Sequence, residues 1–136
     1  MSGADAPIMA GAATPDKTVV RLKTRPQFLF VRSGESYRAK SMVVQARRRK
    51  RTDQADAQQN VQIGEGFTAT KKIGNAVARN RAKRRLRAAS ARLLPRFGLG
   101  GVDYVFIARQ QTGALAWTRL LDDMEKALLS LASTLD

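Results

Sequence analysis

The sequence contains no histidine and no cysteine. Without imidazole there is no ordinary general base near neutral pH, no histidine metal ligand and no triad built on His. Without thiols there is neither a disulfide framework nor a thiolate metal site, a composition that suits a reducing, cytoplasmic setting. Acidic residues are scarce as well. Eleven Asp and Glu stand against 25 Lys and Arg, which leaves a formal net charge of +14. Phosphodiester hydrolysis by a polypeptide usually needs paired metals held by carboxylates or His, and the carboxylates here are scattered. Lys71–Lys72–Ile73–Gly74 lacks the glycine-rich cradle of a phosphate-binding loop. No catalytic residue and no metal ligand is therefore expected in the polypeptide. Nor does any run approach the roughly twenty apolar residues needed to span a bilayer. The polyanion that such a basic chain attracts is thus expected to be nucleic acid rather than a membrane.

What the sequence does have is concentrated between Lys71 and Arg87, KKIGNAVARNRAKRRLR, with eight Lys or Arg in seventeen residues. No Asp or Glu occurs between Phe67 and Val102. On a helical wheel Ala78, Ala82, Leu86, Ala89 and Leu93 share one stripe, the spacing of a buried helix face. Asn80, Lys83, Arg84 and Arg87 point the other way, and Arg81 flanks them. Gly74 supplies a turn and Asn75 a side-chain N-cap. The free amides and dipole of that helix start add to the basic field where a phosphate would approach. Pro95, Gly98, Gly100 and Gly101 are expected to end the helix. A helix pinned by small residues, with arginines turned outward, is a nucleic-acid surface.

The 136 residues suffice for one domain. Residues 1–16 read as a disordered tail, and 17–136 as the domain. A short helix is expected after Thr24 and Pro26, running to about Arg32 and ending at Ser33–Gly34. On it Phe28 reads either as ordinary core or as a stacking surface for an unpaired base. Ser36–Ala39 and Ser41–Arg47 read as strands. The polar, basic stretch 48–60, which opens with most of the cationic run Arg47–Arg51, reads as a loop insertion, either solvated or attracting phosphate. Val61–Lys71 returns to the sheet. There Phe67 and Ala69 are on one face, while Thr68 and Thr70 are on a hydroxyl-bearing face turned toward solvent or ligand. Val102–Ala108 is apolar enough for a central strand covered on both sides. The arginine helix between these two strands implies parallel pairing through a crossover, right-handed in about 98% of cases. Ala116–Leu135 closes the chain as an amphipathic helix with Trp117, Leu120, Leu121, Met124, Leu128, Leu131 and Leu135 inward. Asp122, Asp123 and Glu125 are expected on its solvated side.

The segment GFTATKKIGNAVARNRAKRRLR resembles the signature of the bacterial ribonuclease P protein component. Lys71, Lys72, Gly74, Ala76 and Val77 are followed by the Arg79–Asn80–Arg81 tripeptide and by Lys83, Arg84 and Arg87. Weaker similarity extends to Arg21–Lys23 and to Asp103–Arg109, so it covers about Val20 to the C-terminus. The resemblance implies an α+β fold, a single-domain α/β sandwich like one found in ribosomal proteins. Its mixed four-stranded sheet has the order αβββαβα, with the arginine-rich helix as a left-handed crossover. It also implies an RNA-binding subunit of an endonuclease that removes the 5′ leader from precursor tRNA. The partner catalytic RNA would hold the magnesium and carry the chemistry, while the protein lowers the magnesium requirement. Lys71, Lys72, Asn75, Arg79, Asn80, Arg81, Lys83, Arg84 and Arg87 are the candidates for binding RNA. Phe28, Arg32, Thr68, Thr70 and Lys71 are those for a leader cleft. Many family members carry a second Phe where this chain has Arg32, whose guanidinium can stack on a base or pair with phosphate. Two other readings share the charge. A ribosomal protein would bind ribosomal RNA, and a DNA-binding module would put the arginine helix in the major groove. No helix-turn-helix or dimerisation heptad supports the second, so neither DNA nor a membrane is expected as partner.

Overall fold

The computed structural model describes residues 18–50 and 62–135. The expectations for the tail at 1–16 and for most of the loop at 48–60 lie outside them. The elements in chain order are β1 (Thr18–Arg21), α1 (Arg25–Arg32), β2 (Glu35–Arg38), β3 (Met42–Arg48), β4 (Gln62–Thr68), α2 (Ala76–Phe97), β5 (Val102–Ala108) and α3 (Trp117–Leu135). Short 3₁₀ turns at Lys71–Ile73 and Gln110–Gly113 precede α2 and α3. The sheet order is β1-β4-β5-β3-β2. Within it β1–β4 and β4–β5 are parallel, while β5–β3 and β3–β2 are antiparallel.

This is the expected mixed α/β build with one strand more than expected, five rather than four. Strand β1 has only Val19 and Val20 as apolar residues and stands next to the helix start, so it carries no alternation long enough to read. Its pairing with β4 creates it: Val19 lies opposite Ile63 and packs on the main core.

The central strand β5 is buried on both faces. Val102, Tyr104, Phe106 and Ala108 join the main core under α2 and α3, whereas Val105 faces α1 with Leu22 and Val31. The Tyr104 hydroxyl accepts from the Leu99 amide at 2.9 Å, which satisfies its buried polar end. Helix α1 begins as expected, with Pro26 in its first turn and the Gln27 side chain accepting from the Thr24 amide at 2.9 Å.

Two local expectations are corrected. Helix α2 runs through Pro95 to Phe97 and is capped at Gly98, whose amide donates to Leu94 O at 2.8 Å. Its Leu93 and Leu94 are buried, and tertiary packing of that last turn outweighs the amide hydrogen bond that proline removes. In α3, Asp123 is not solvated. It falls between Leu120 and Met124 on the inward face, accepts from Ser41 Oγ at 2.8 Å and pairs with Arg119 at 3.2 Å. A buried carboxylate with two partners ties α3 to the β2–β3 turn. The Thr112 hydroxyl reinforces that corner by donating to Ser41 O, and it accepts from the Arg109 amide at 2.7 Å.

Candidate nucleic-acid interface

The start of α2 is built as its sequence demands. Gly74 has φ +141°, which disfavours any side chain, and Asn75 Oδ1 accepts from the Ala78 amide at 2.9 Å. Ala82, Leu86, Ala89 and Leu93 are buried against the sheet and α3, and Ala78 is half-buried at the end of the stripe. Ser90, in the same buried row, donates to Glu65 Oε1 at 2.9 Å. With one face fixed, the opposite one is fixed too. Asn80, Arg81, Arg84 and Arg87 are exposed, while Arg79 and Lys83 are half-buried. A concavity of about 390 Å³ on that face is lined by Val77, Asn80, Lys83, Arg84 and Arg87.

These polar side chains are not equivalent. Arg84, Asn80 and Lys83 have no hydrogen-bond or ion-pair partner among the described residues. Arg87 leans on Phe67, its guanidinium carbon 5.5 Å from the ring centroid, and Arg21 stands 5.8 Å from the same ring. Arg81 donates through Nε to Gly113 O at 3.0 Å. Arg85, which the motif reading passes over, donates to Thr112 O at 2.7 Å and to Leu115 O at 2.6 Å. Its signal is positional. Residue 85 lies three after Ala82 and four before Ala89, at the edge of the buried stripe, so its side chain leaves the helix toward the neighbouring loop instead of toward solvent. Lys71 and Lys72 are exposed on the 3₁₀ turn just before the cap, which puts both charges at the positive end of α2.

The second group of candidates surrounds α1. Phe28 is half-buried over β4, where Gly66 makes room. A Cβ on Gly66 would lie 2.7 Å from Phe28 Cε2, so only glycine permits this approach. Thr68 follows two residues along the same face of β4, and Thr70 and Lys71 continue exposed beyond the end of the strand. The hydroxyl-bearing face is therefore not bare: α1 covers its Gly66 end and leaves its Thr68 end half-buried. Arg32 is exposed one helical turn beyond Phe28, on the same stripe. Phe30, on the other flank of α1, is covered by Arg47, whose guanidinium carbon is 4.3 Å from the ring centroid and whose Nη1 donates to Phe30 O at 3.1 Å.

The cationic run that begins at Arg47 is engaged within the fold at its start. Arg48 Nη2 donates to Leu135 O at 3.5 Å, and Arg49 pairs with Asp103 and donates to Gln62 O at 2.5 Å. Burial pushes the Asp103 carboxyl above its usual value, and the charge and hydrogen bond of Arg49 pull part of the way back. Among the described residues no three acidic side chains converge to hold a metal ion, and no helix is long and apolar enough to cross a membrane.

Comparison with known proteins bears on this arrangement. A family model described as "Ribonuclease P" matches residues 17–132. The ribonuclease P protein component of Caulobacter vibrioides is 48% identical over 116 residues, covering 85% of this chain and 73% of that one. That of Ruegeria pomeroyi is 47% identical over 111 residues, with 81% and 84% covered. Among solved structures, the RNase P protein of Staphylococcus aureus superposes with a TM-score of 0.61 at 25% identity, covering 85% of this chain and 97% of that one. The Thermotoga maritima protein reaches 0.63 at 22% identity, with 82% and 96% covered, which is a likeness of fold.

Proposed function

The chain belongs to the ribonuclease P protein family, and from that premise we propose how its two surfaces divide the work of the enzyme. The protein is the subunit of an endoribonuclease that removes the 5′ leader of precursor tRNA, and it works with an RNA subunit. The outward face of α2, with Lys71, Lys72, Asn75, Arg79, Asn80, Arg81, Lys83, Arg84 and Arg87, binds that catalytic RNA. The cleft between α1 and the end of β4, with Phe28, Arg32, Thr68, Thr70 and Lys71, takes the single-stranded leader. The magnesium ions are held mainly by the RNA, and the protein lowers the concentration needed by neutralising phosphates where two polyanions meet. On this reading the protein works in the cytoplasm.

One observation carries the reading. The arginine helix holds Asn80, Lys83 and Arg84 on a rigid, capped scaffold with no partners of their own among the described residues. Cations carried on a rigid backbone and left unpaired can take phosphates without breaking an internal contact, so binding costs only the freedom of the side chains themselves.

The test is cleavage of precursor tRNA at low magnesium by the protein alone, the catalytic RNA alone, and the two together. Cleavage at the mature 5′ end by the mixture only is the expected result. Cleavage by the protein alone would mean an active site in the polypeptide. No stimulation despite tight RNA binding would bring the ribosomal alternative forward. The leader cleft has its own check in Phe28→Ala. Affinity for leader-bearing precursor should fall by about 1–3 kcal/mol, as for one lost base stack, while affinity for mature tRNA holds. Equal losses for both ligands would return Phe28 to a purely structural role.

A further inference from the structure

On the other flank of α2 lies a second concavity, of about 290 Å³, lined by Arg81, Arg84, Arg85, Ala88 and Trp117. Arg84 is shared with the first. We propose that Trp117 is a stacking platform for one unpaired nucleotide of the RNA that α2 binds, with Arg81 and Arg84 on its phosphates. The inference rests on the reading of α2 as an RNA-binding helix and adds a base-binding site to it.

Four features of the site point this way. Trp117 is half-buried, with part of its ring system packed on the main core and the rest left to the concavity. Its position is therefore fixed from below. Arg85 stands 6.0 Å from the ring centroid and is itself held by two carbonyls, Thr112 O and Leu115 O. It lies over part of the ring at the outer limit of a cation–π contact, leaves the rest of the ring to the concavity that both residues line, and is not free to follow a phosphate. Among the described residues Arg81 is anchored only through Nε, which leaves its Nη donors available, and Arg84 has no partner. Ala88, one turn beyond Arg84, has too small a side chain to fill the space between the arginines and the ring. The result is an aromatic surface, two phosphate donors and a gap on the scale of one nucleotide. Every base has a π-face that such a ring can bind, whatever its identity. A base within a duplex has that face already covered by its neighbours, so the ligand is an unpaired one.

Trp117 is the sole tryptophan of the chain, so intrinsic tryptophan emission of the full-length protein reports this site alone. The protein is titrated with the catalytic RNA of ribonuclease P, with single-stranded oligoadenylate, and with a perfect RNA duplex of equal charge. Emission should be quenched by the first two and not by the duplex. Trp117→Leu, which keeps the apolar contact with the core, should bind catalytic RNA roughly tenfold to a hundredfold more weakly. Trp117→Phe should recover most of that loss. The salt dependence of binding should be unchanged in both, because no phosphate contact is removed. Tight binding with unchanged emission, or equal quenching by the duplex, would overturn the platform while leaving α2 as an RNA-binding helix. Wild-type affinity in Trp117→Leu would do the same. Failure of the wild-type protein to bind any of the RNAs would instead overturn the reading of α2, and this site with it. If Trp117→Leu does not fold, the emission titration of the wild-type protein decides alone.

Discussion

Replacing Arg84 and Arg87 together by Glu should lower affinity for the catalytic RNA by about a hundredfold or more at moderate salt. Each reversal removes two units of charge, taking the formal net charge from +14 to +10. Both side chains are exposed on the same face, one turn apart, and both line the larger concavity. Two phosphate contacts would be replaced by two repulsions. The slope of log affinity against log salt should become shallower by between one and two, since each contact contributes roughly 0.7–0.9. Folding should be little affected. Arg84 has no partner among the described residues, and the contact of Arg87 with Phe67 at 5.5 Å is worth about 0.5–1 kcal/mol at such a site. A thermal unfolding curve checks that half of the expectation. An unchanged salt slope would remove this face from the interface.

The contrast with Arg85 sharpens the same test. Arg85 sits between Arg84 and Leu86 in the motif, with the same charge, yet it is tied to Thr112 O and Leu115 O. Loss of Arg85 would leave two carbonyls without their donor and loosen α2 against the 3₁₀ turn before α3. The salt slope should then stay as it was. Affinity lost through a contact and affinity lost through positioning are separated by that slope.

These two neighbours also show how far the sequence is legible. The arginine helix can be read from sequence because its determinants are local: an N-cap at Asn75, a stripe at helical spacing and an uninterrupted lack of acid. The central strand can be read because Val102–Ala108 is apolar on both alternations except at Asp103. What cannot be read is where a long cationic side chain finds its partner. Arg47, Arg48 and Arg49 are indistinguishable within a basic run, yet they take three different partners: Phe30, the end of α3 at Leu135, and Asp103. Each partner is remote in sequence, so no local pattern marks it. Asp123 is misread for the same reason. Beside Asp122 and Glu125 it looks like part of a solvated acidic side, and only the position of Ser41, 82 residues away, accounts for its burial. Strand β1 likewise exists through β4, not through its own four residues. Gly66 is a borderline case. A glycine inside a strand signals close approach, but that the approaching group is the Phe28 ring follows from the placement of α1 across the sheet.

Phe106→Ala should cost the fold about 3–5 kcal/mol, the largest single-residue loss of stability expected here. The Phe106 ring is fully buried in the central strand, in register with Val44 on one side and Phe67 on the other. It stacks on Phe67 at 5.5 Å between centroids with an interplanar angle of 18°. Rigid strands on both sides limit how far the surroundings can collapse into the space left behind, which places the cost toward the upper end. Against a typical total of about 5–15 kcal/mol, that would leave a marginal domain, seen as a large fall in the midpoint of thermal or urea unfolding. A loss below about 1 kcal/mol would mean that the core does not depend on the Phe67–Phe106 pair. The functional consequence follows from what rests on Phe67. Its ring supports Arg87 on the outward flank of α2, so a cavity beneath it should let that side chain wander. RNA affinity, measured where the variant is still folded, should then drop modestly with no change in salt slope, because the phosphate contact is misplaced and not deleted. Saturating RNA, binding only the folded state, should restore about 2.7 kcal/mol of stability at a hundred times the dissociation constant. An affinity equal to wild type would show instead that the arginine face is held by the α2 stripe alone, with the aromatic stack serving only the sheet.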